Sequence, residues 1–330
     1  MSGRVRFLSA RACRALAVAG VALCLTGASF AQGYPQKYVK MLVGWPPGGT
    51  VDLIGRVVAQ LLTEKLHQQF IVENRPGSSG MLVDQLVMAA APDGYILQTA
   101  GSTHATNPSL YADAKYDPVK DFTPIALVAS TPYVLVVDPK LQVKSVADFR
   151  EWAKKQPAAV NFGSAGSGSR QHLAAVMLMN SIGAKMIHIP YKGSMPAVTD
   201  VIGGQLPVIF ENVTVVLPFI KSGRMQALGV TTETRSSLLP EVPTMIESGF
   251  PGFEISGYFG VYGPPKLPAN IVSAIGGTIN AALKSPEMQQ SLARIGAEPV
   301  GGTPESFAAF LQRDVDTWSK VIREAGITAN

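Results

Sequence analysis

Residues Gly44-Trp45-Pro46-Pro47-Gly48-Gly49-Thr50-Val51-Asp52 carry the clearest chemistry in this chain. They stand between an apolar run, Val39–Val43, and a helix-like pattern that begins at Leu53. A loop in that position presents bare N–H groups at a helix start, where the dipole also favours negative charge. Gly48, Gly49 and Thr50 are therefore candidate anion anchors, because glycine allows close backbone approach. A second stretch, Gly163-Ser164-Ala165-Gly166-Ser167-Gly168-Ser169, repeats the arrangement before a helical pattern from Leu173. Its amides and hydroxyls make Ser164, Ala165, Gly166, Gly168 and Ser169 the second anchor.

Other candidates are less specific. Asp52 cannot bind an anion directly, but it can cap the helix, orient a water, or accept from a ligand amine or hydroxyl. His172 lies one turn into the second helix, where packing in the core is the plainer reading. Arg170 fits either a solvated surface charge or a carboxylate clamp. Ser102, Thr103 and Asn107 follow a strand at Tyr95–Leu97, in the kind of loop that lines the crevice of α/β sheets. Tyr191 and Glu211 are candidates for the far end of a pocket, with packing or capping as the alternative. Trp45, Tyr258 and Phe259 fit pocket or core.

The elements that must position these groups alternate between strand-like and helix-like runs, which argues for α/β layers. The long apolar stretch Ile125–Val137, interrupted at Thr131-Pro132, reads as a crossing from a first lobe into a second, and Ile255–Tyr262 as the return. The expected division is a leader at 1–31, a discontinuous first lobe at 32–132 and 256–330, and a second lobe at 133–255. Two crossings between two lobes make a hinged cleft, and two Gly-rich loops far apart in sequence suggest closure on one small anion.

The first 31 residues read as a secretory leader. Arg4, Arg6, Arg11 and Arg14 precede the apolar segment Ala15–Leu25, and Ser29-Phe30-Ala31 fits a cleavage site. Its removal takes the chain from 28 basic residues against 23 acidic to 24 against 23, so the basic character is partly the leader's and nucleic-acid binding is not expected. Both cysteines, Cys13 and Cys24, leave with it, excluding disulfides and thiolate chemistry from the mature chain. No nucleophile elbow, phosphate loop, zinc motif or dinucleotide fingerprint occurs. No metal, no cofactor and no enzymatic activity are expected, a hydrolase or lyase being the remote alternative. No later apolar run is long enough to span a membrane.

With these residues in view, the chain resembles the Bug-type extracytoplasmic solute receptors of tripartite tricarboxylate transporters. The resemblance rests on Pro46–Asp52, Val72–Gly77, Ala91–Tyr95, Gly163–Leu173, Pro190–Gly193, Leu239–Thr244 and Gly296–Val300, in that order along the mature chain. It implies a two-lobed periplasmic binding protein of the Venus-flytrap kind, with two mixed or mostly parallel sheets flanked by helices. It also implies a small carboxylate held chiefly by backbone amides and waters, and delivery to a permease of two polytopic subunits. A receptor feeding a signalling partner is the alternative, and a monomer the expected state. Trp45, Met81, Arg170, Glu211 and Tyr258-Phe259 depart from residues common in that family. They leave dicarboxylates, tricarboxylates, amino acids and aromatic acids all open as ligands.

Overall fold

The structure, a computed structural model, describes residues 33–324, 326 and 327, and the chain from Lys37 onward forms one compact unit. The expected leader lies outside the described residues. Ten strands and ten α-helices are found among the described residues. In chain order the first half runs β1 (Val39–Val43), α1 (Thr50–Leu66), β2 (Phe70–Asn74), α2 (Met81–Met88), β3 (Ile96–Gly101), α3 (Thr103–Leu110) and β4 (Thr123–Val137). Then come α4 (Val146–Lys154), β5 (Val160–Ser164), α5 (Arg170–Ile182), β6 (Met186–Pro190), α6 (Ser194–Ile202), β7 (Val208–Asn212), α7 (Val213–Lys221) and β8 (Gln226–Val230). The tail comprises β9 (Ser256–Gly263), α8 (Ala269–Leu283), α9 (Pro286–Arg294), β10 (Glu298–Pro299) and α10 (Pro304–Glu324).

The strands follow the order β2-β1-β3-β9-β4-β7-β5-β6, with β8 and β10 also paired to β4. Parallel pairs occupy the outer positions, β2-β1-β3 and β7-β5-β6. β4 and β9 run antiparallel to their neighbours, so the sheet is mixed. β4 organises the molecule. Its first part pairs with β9 as far as Pro132, and its second part, from Tyr133, pairs with β7 and β8. The expected interruption at Thr131-Pro132 is thus a change of partners within one 15-residue strand. A proline lacks the donor for a ladder bond, and this one falls where the partners change.

The return of the chain lies beside that junction. Thr231, just after β8, donates its N–H to the Tyr133 carbonyl at 2.9 Å and accepts from the Tyr133 N–H through its hydroxyl at 3.0 Å. Ile255, just before β9, donates to the Thr231 carbonyl at 3.0 Å. The segments after β8 and before β9 are therefore held beside Tyr133, the first directly and the second through Thr231.

Burial explains the near-continuous apolar strands, since helices cover both faces. In the β5–β8 half, Phe149, Phe162, Leu178 and Phe210 pack on one side, and Val198, Val201, Ile209 and Val216 on the other. Around β9, Tyr262, Phe307 and Leu311 join Leu42, Val83 and Val87. Among the described residues no helix is long and apolar enough to cross a membrane.

Candidate functional site

The carboxyl ends of β1, β3, β5, β6 and β7 all feed helix starts around one narrow cleft, partly open to solvent. Open α/β sheets place their ligand crevices at such ends. Trp45, Pro46, Pro47, Gly49, Thr50 and Val51 line it from the first loop, and Gly101, Ser102 and Thr103 from the end of β3. Ala165, Ser169 and Gln171 come from the second loop and α5, and Gly193, Ser194 and Met195 from the start of α6. Tyr133, Asn212 and Phe259 complete the lining from the central strands.

Helix capping gives this cleft its polarity. The starts of α1, α3, α6 and α7 have no side-chain cap, whereas α5 is capped by the Ser169 hydroxyl, which accepts from the His172 N–H at 3.3 Å. Uncapped first-turn N–H groups seek an acceptor. At α1 a side chain joins them: the Thr50 hydroxyl is buried and has no partner. Gly49 sits at φ −80°, and a Cβ there would meet nothing nearer than the Pro46 carbonyl at 3.8 Å. The fold itself does not demand that glycine, and the room it leaves belongs to the cleft.

Several sequence candidates fall behind the cleft rather than on it. The Gly48 N–H is bonded to Asp52 at 3.0 Å. Asp52 also accepts from Arg56 at 3.0 Å and from Asn74 at 2.8 Å. Burial alone raises its carboxyl, but the hydrogen bonds of Arg56, Gly48 and Asn74, with the Arg56 charge, hold it below the ordinary carboxylate range. Asp52 is thus an ionised brace for the first loop.

The second loop is braced in the same way. The Ser164 hydroxyl donates to the Gly166 carbonyl at 2.9 Å and meets His188 Nε2 at 2.6 Å. His172 Nδ1 accepts from the Gly168 N–H at 3.1 Å, and the rings of His172 and His188 stack with centroids 3.7 Å apart. Burial pushes His172 down to about 3, with His188 adding to it, and pushes His188 down to about 4. Both imidazoles are neutral and structural. Gly168 has φ +73°, and an added Cβ would lie 1.7 Å from Leu110 Cδ1, so this glycine serves the seating of α3 against the loop. The Thr106 hydroxyl fixes the same contact by donating to the Gly168 carbonyl at 3.2 Å.

The remaining candidates divide likewise. Ser102 and Thr103 reach the cleft, but the residues after them form helix α3 where a loop was expected. Asn107 is fully buried and donates to the Ser79 carbonyl at 3.1 Å. The Tyr191 hydroxyl bonds Asp200 at 2.6 Å, outside the lining. Glu211 is buried beneath the wall, holding Gln171 and Asn212. Trp45 and Phe259 line the cleft, while Tyr258 turns its hydroxyl to Asp314 at 3.1 Å and packs edge-on against Phe310. Arg170 is neither a surface charge nor a lining clamp. It is 1% exposed, bonded to both Asp314 oxygens at 2.5 and 2.6 Å, and lies over the Trp318 ring at 4.0 Å.

Sequence reasoning missed Gln171, Ser194, Asn212 and Tyr133. The first three each lie within three residues of a position it had singled out, and a helix start was the available signal. Tyr133 had none, because a mid-strand residue reaches the cleft only where β4 changes partners.

A mixed α/β fold whose helix starts converge on a cleft between two groups of strands is that of a solute-binding receptor. Residues 54–327 match the family described as tripartite tricarboxylate transporter family receptor, and the chain belongs to it. The protein BugT of Bordetella pertussis is 35% identical over 318 residues, covering 95% of this chain and 98% of that one. The structure of R. palustris Rpa4515 with adipate superposes with a TM-score of 0.88 at 34% identity, over 90% of this chain and all of that one. MatC of Rhodopseudomonas palustris with bound malate gives a TM-score of 0.81 at 26% identity, over 88% of this chain and all of that one. These relatives are binding receptors, and the chain is a receptor rather than an enzyme. The fold is the periplasmic-binding-protein type that the sequence led us to expect.

Proposed function

We propose that this protein captures a small carboxylate in the cleft and hands it to a membrane permease of two polytopic subunits. The observation that carries the reading is the uncapped start of α1, where free N–H groups and the unpartnered Thr50 hydroxyl face one cleft. The carboxylates in the two similar structures, adipate and malate, support the same class. Gly49, Thr50, Ser102, Thr103, Ala165 and Ser169 contact the ligand, with Trp45, Gln171, Ser194 and Asn212 shaping its far side. Gly48, Asp52, Ser164, Gly166, Gly168 and His172 hold the loops in place. The lobes are 32–132 with 256–330, and 133–255, hinged where β4 and the 231–256 segment pass Tyr133. The ligand docks on the α1 loop, and closure seats the second loop against α3, favoured only by the ligand's extra affinity for the closed form. Export with cleavage near Ala31 places a monomer in the periplasm.

Thermal unfolding of the purified, ligand-stripped protein against a carboxylate panel tests this. A ligand at about a hundred times its Kd adds roughly 2.7 kcal/mol, which moves the midpoint of a chain this size by several degrees. A shift with an acid but not its amide is expected. No shift across the panel overturns the carboxylate reading.

A further inference from the structure

The second wall of the cleft is built over a buried carboxyl with an unanswered oxygen, whereas Asp52 behind the first wall has partners on both oxygens. Glu211 lies one residue before the start of α7 and is 1% exposed. Its Oε1 accepts from the Asn212 N–H at 2.8 Å, the Asn212 Nδ2 at 3.2 Å and the Gln171 Nε2 at 3.1 Å. Its Oε2 is buried with no hydrogen-bond partner, and the Ser194 hydroxyl stands beside the same carboxyl. Three of its neighbours, Gln171, Asn212 and Ser194, line the cleft.

This arrangement removes donors from the second wall. The N–H of Asn212, at the start of α7, is turned onto Glu211 Oε1 and is not offered to the cleft. One N–H of the Asn212 side-chain amide is taken as well, and its oxygen accepts from the Thr131 hydroxyl. Gln171 has one N–H on Glu211, which fixes its amide and leaves its carbonyl oxygen and its second N–H for the cleft. The α1 wall is the reverse, with uncapped N–H groups and an unpartnered hydroxyl. One end of the cleft seeks an acceptor, and the other has a buried acceptor short of a donor. An orphaned oxygen on a buried carboxyl costs free energy unless something answers it. Burial pushes the Glu211 carboxyl up, against the donors of Asn212, Ser194 and Gln171, and a further donor on Oε2 would complete its shell.

We infer that Glu211 is a specificity-determining residue that makes the cleft select carboxylates bearing a hydrogen-bond donor, an ammonium or hydroxyl, over the bare diacid of the same length. This rests on the carboxylate reading above and narrows it. A second carboxylate facing this wall meets Glu211 and the Gln171 carbonyl. A donor there is answered directly by the Gln171 carbonyl, which Glu211 holds in place, and by Glu211 through a bridging water.

The test is calorimetric binding of matched sets to the purified, ligand-stripped protein: succinate, malate and aspartate; glutarate, 2-hydroxyglutarate and glutamate; adipate and 2-aminoadipate. The expected result is at least tenfold tighter binding of an amino or hydroxy member than of its bare diacid. Glu211→Gln should abolish that preference, the bare diacid gaining affinity and its amino and hydroxy partners losing it until the members of each set bind within a few-fold of one another. Glu211→Asp should retain part of it. A bare diacid that binds wild type as tightly as its substituted partners overturns this inference and leaves the carboxylate reading intact. Retention of the preference by a folded Glu211→Gln also overturns it. Failure of every acid to bind overturns both. The wild-type comparison stands even if a variant does not fold.

Discussion

Replacement of Thr50 by valine separates binding from folding by sign. Valine keeps the shape and the β-branch and removes only the hydroxyl, which is buried, lines the cleft and lacks a partner. An unsatisfied buried polar group costs about 1–3 kcal/mol, so the ligand-free variant should be unchanged or more stable. At roughly 2–4 °C per kcal/mol for a chain of this size, the midpoint should stay level or rise by a few degrees. Binding should move the other way. A hydrogen bond from that hydroxyl to a carboxylate is charge-assisted and worth about 1.5–3 kcal/mol, a loss of about 10- to 150-fold in affinity. Differential scanning fluorimetry of the ligand-free proteins and calorimetry with the tightest acid of the panel give the two numbers. A Thr50→Val protein that binds as wild type does, or one that is destabilised without ligand, would refute the assignment of the α1 start as the carboxylate seat.

Two further outcomes follow from buried groups away from the ligand. Arg170→Met leaves Asp314 buried without its cation and should destabilise by about 3–5 kcal/mol; adding Asp314→Asn, which keeps an acceptor for Tyr258, should recover most of it in urea unfolding, and a single variant within about 1 kcal/mol of wild type would contradict the pairing. His172 and His188 are held neutral, at about 3 and about 4, against an unfolded value near 6.5. Between about 4 and 6.5 the unfolded chain therefore binds more protons, so their contribution to stability is intact above 6.5 and is lost as pH falls. Urea unfolding from pH 7.5 to 5 should show that decline, and a His172→Gln/His188→Gln double variant should flatten it; equal slopes would refute the assignment.

Much of the fold was legible because it depends on local signals. β1 read as the apolar run Val39–Val43, and α1 and α5 as helical patterns opening after glycine-rich loops, within a few residues of where they lie. Ser145 caps α4 through its hydroxyl at 3.0 Å from the Asp148 N–H, a signal carried by residues three apart in the chain. Helix α3 was not legible. Thr103-His104-Ala105-Thr106-Asn107-Pro108 has poor helix formers, and it is packing that overrides them: His104 bonds Asp84 at 2.8 Å and Thr106 bonds Gly168.

The candidate site divides along the same line. By itself the sequence determined that two glycine-rich loops open helices, and so that the protein has an anion-seeking cleft. Backbone donors at a helix start depend only on neighbours in the chain. The tertiary structure alone decided which atoms of those loops are free. Gly48 and Gly168 were candidates by type, yet their N–H groups are taken by Asp52 and His172, whereas Thr50 has no partner. It also brought Tyr133 from mid-strand into the lining and set Arg170 against Asp314, 144 positions away. A hydrogen bond between distant residues depends on how the sheets twist and the helices pack, and no local pattern of residue types encodes which partner arrives.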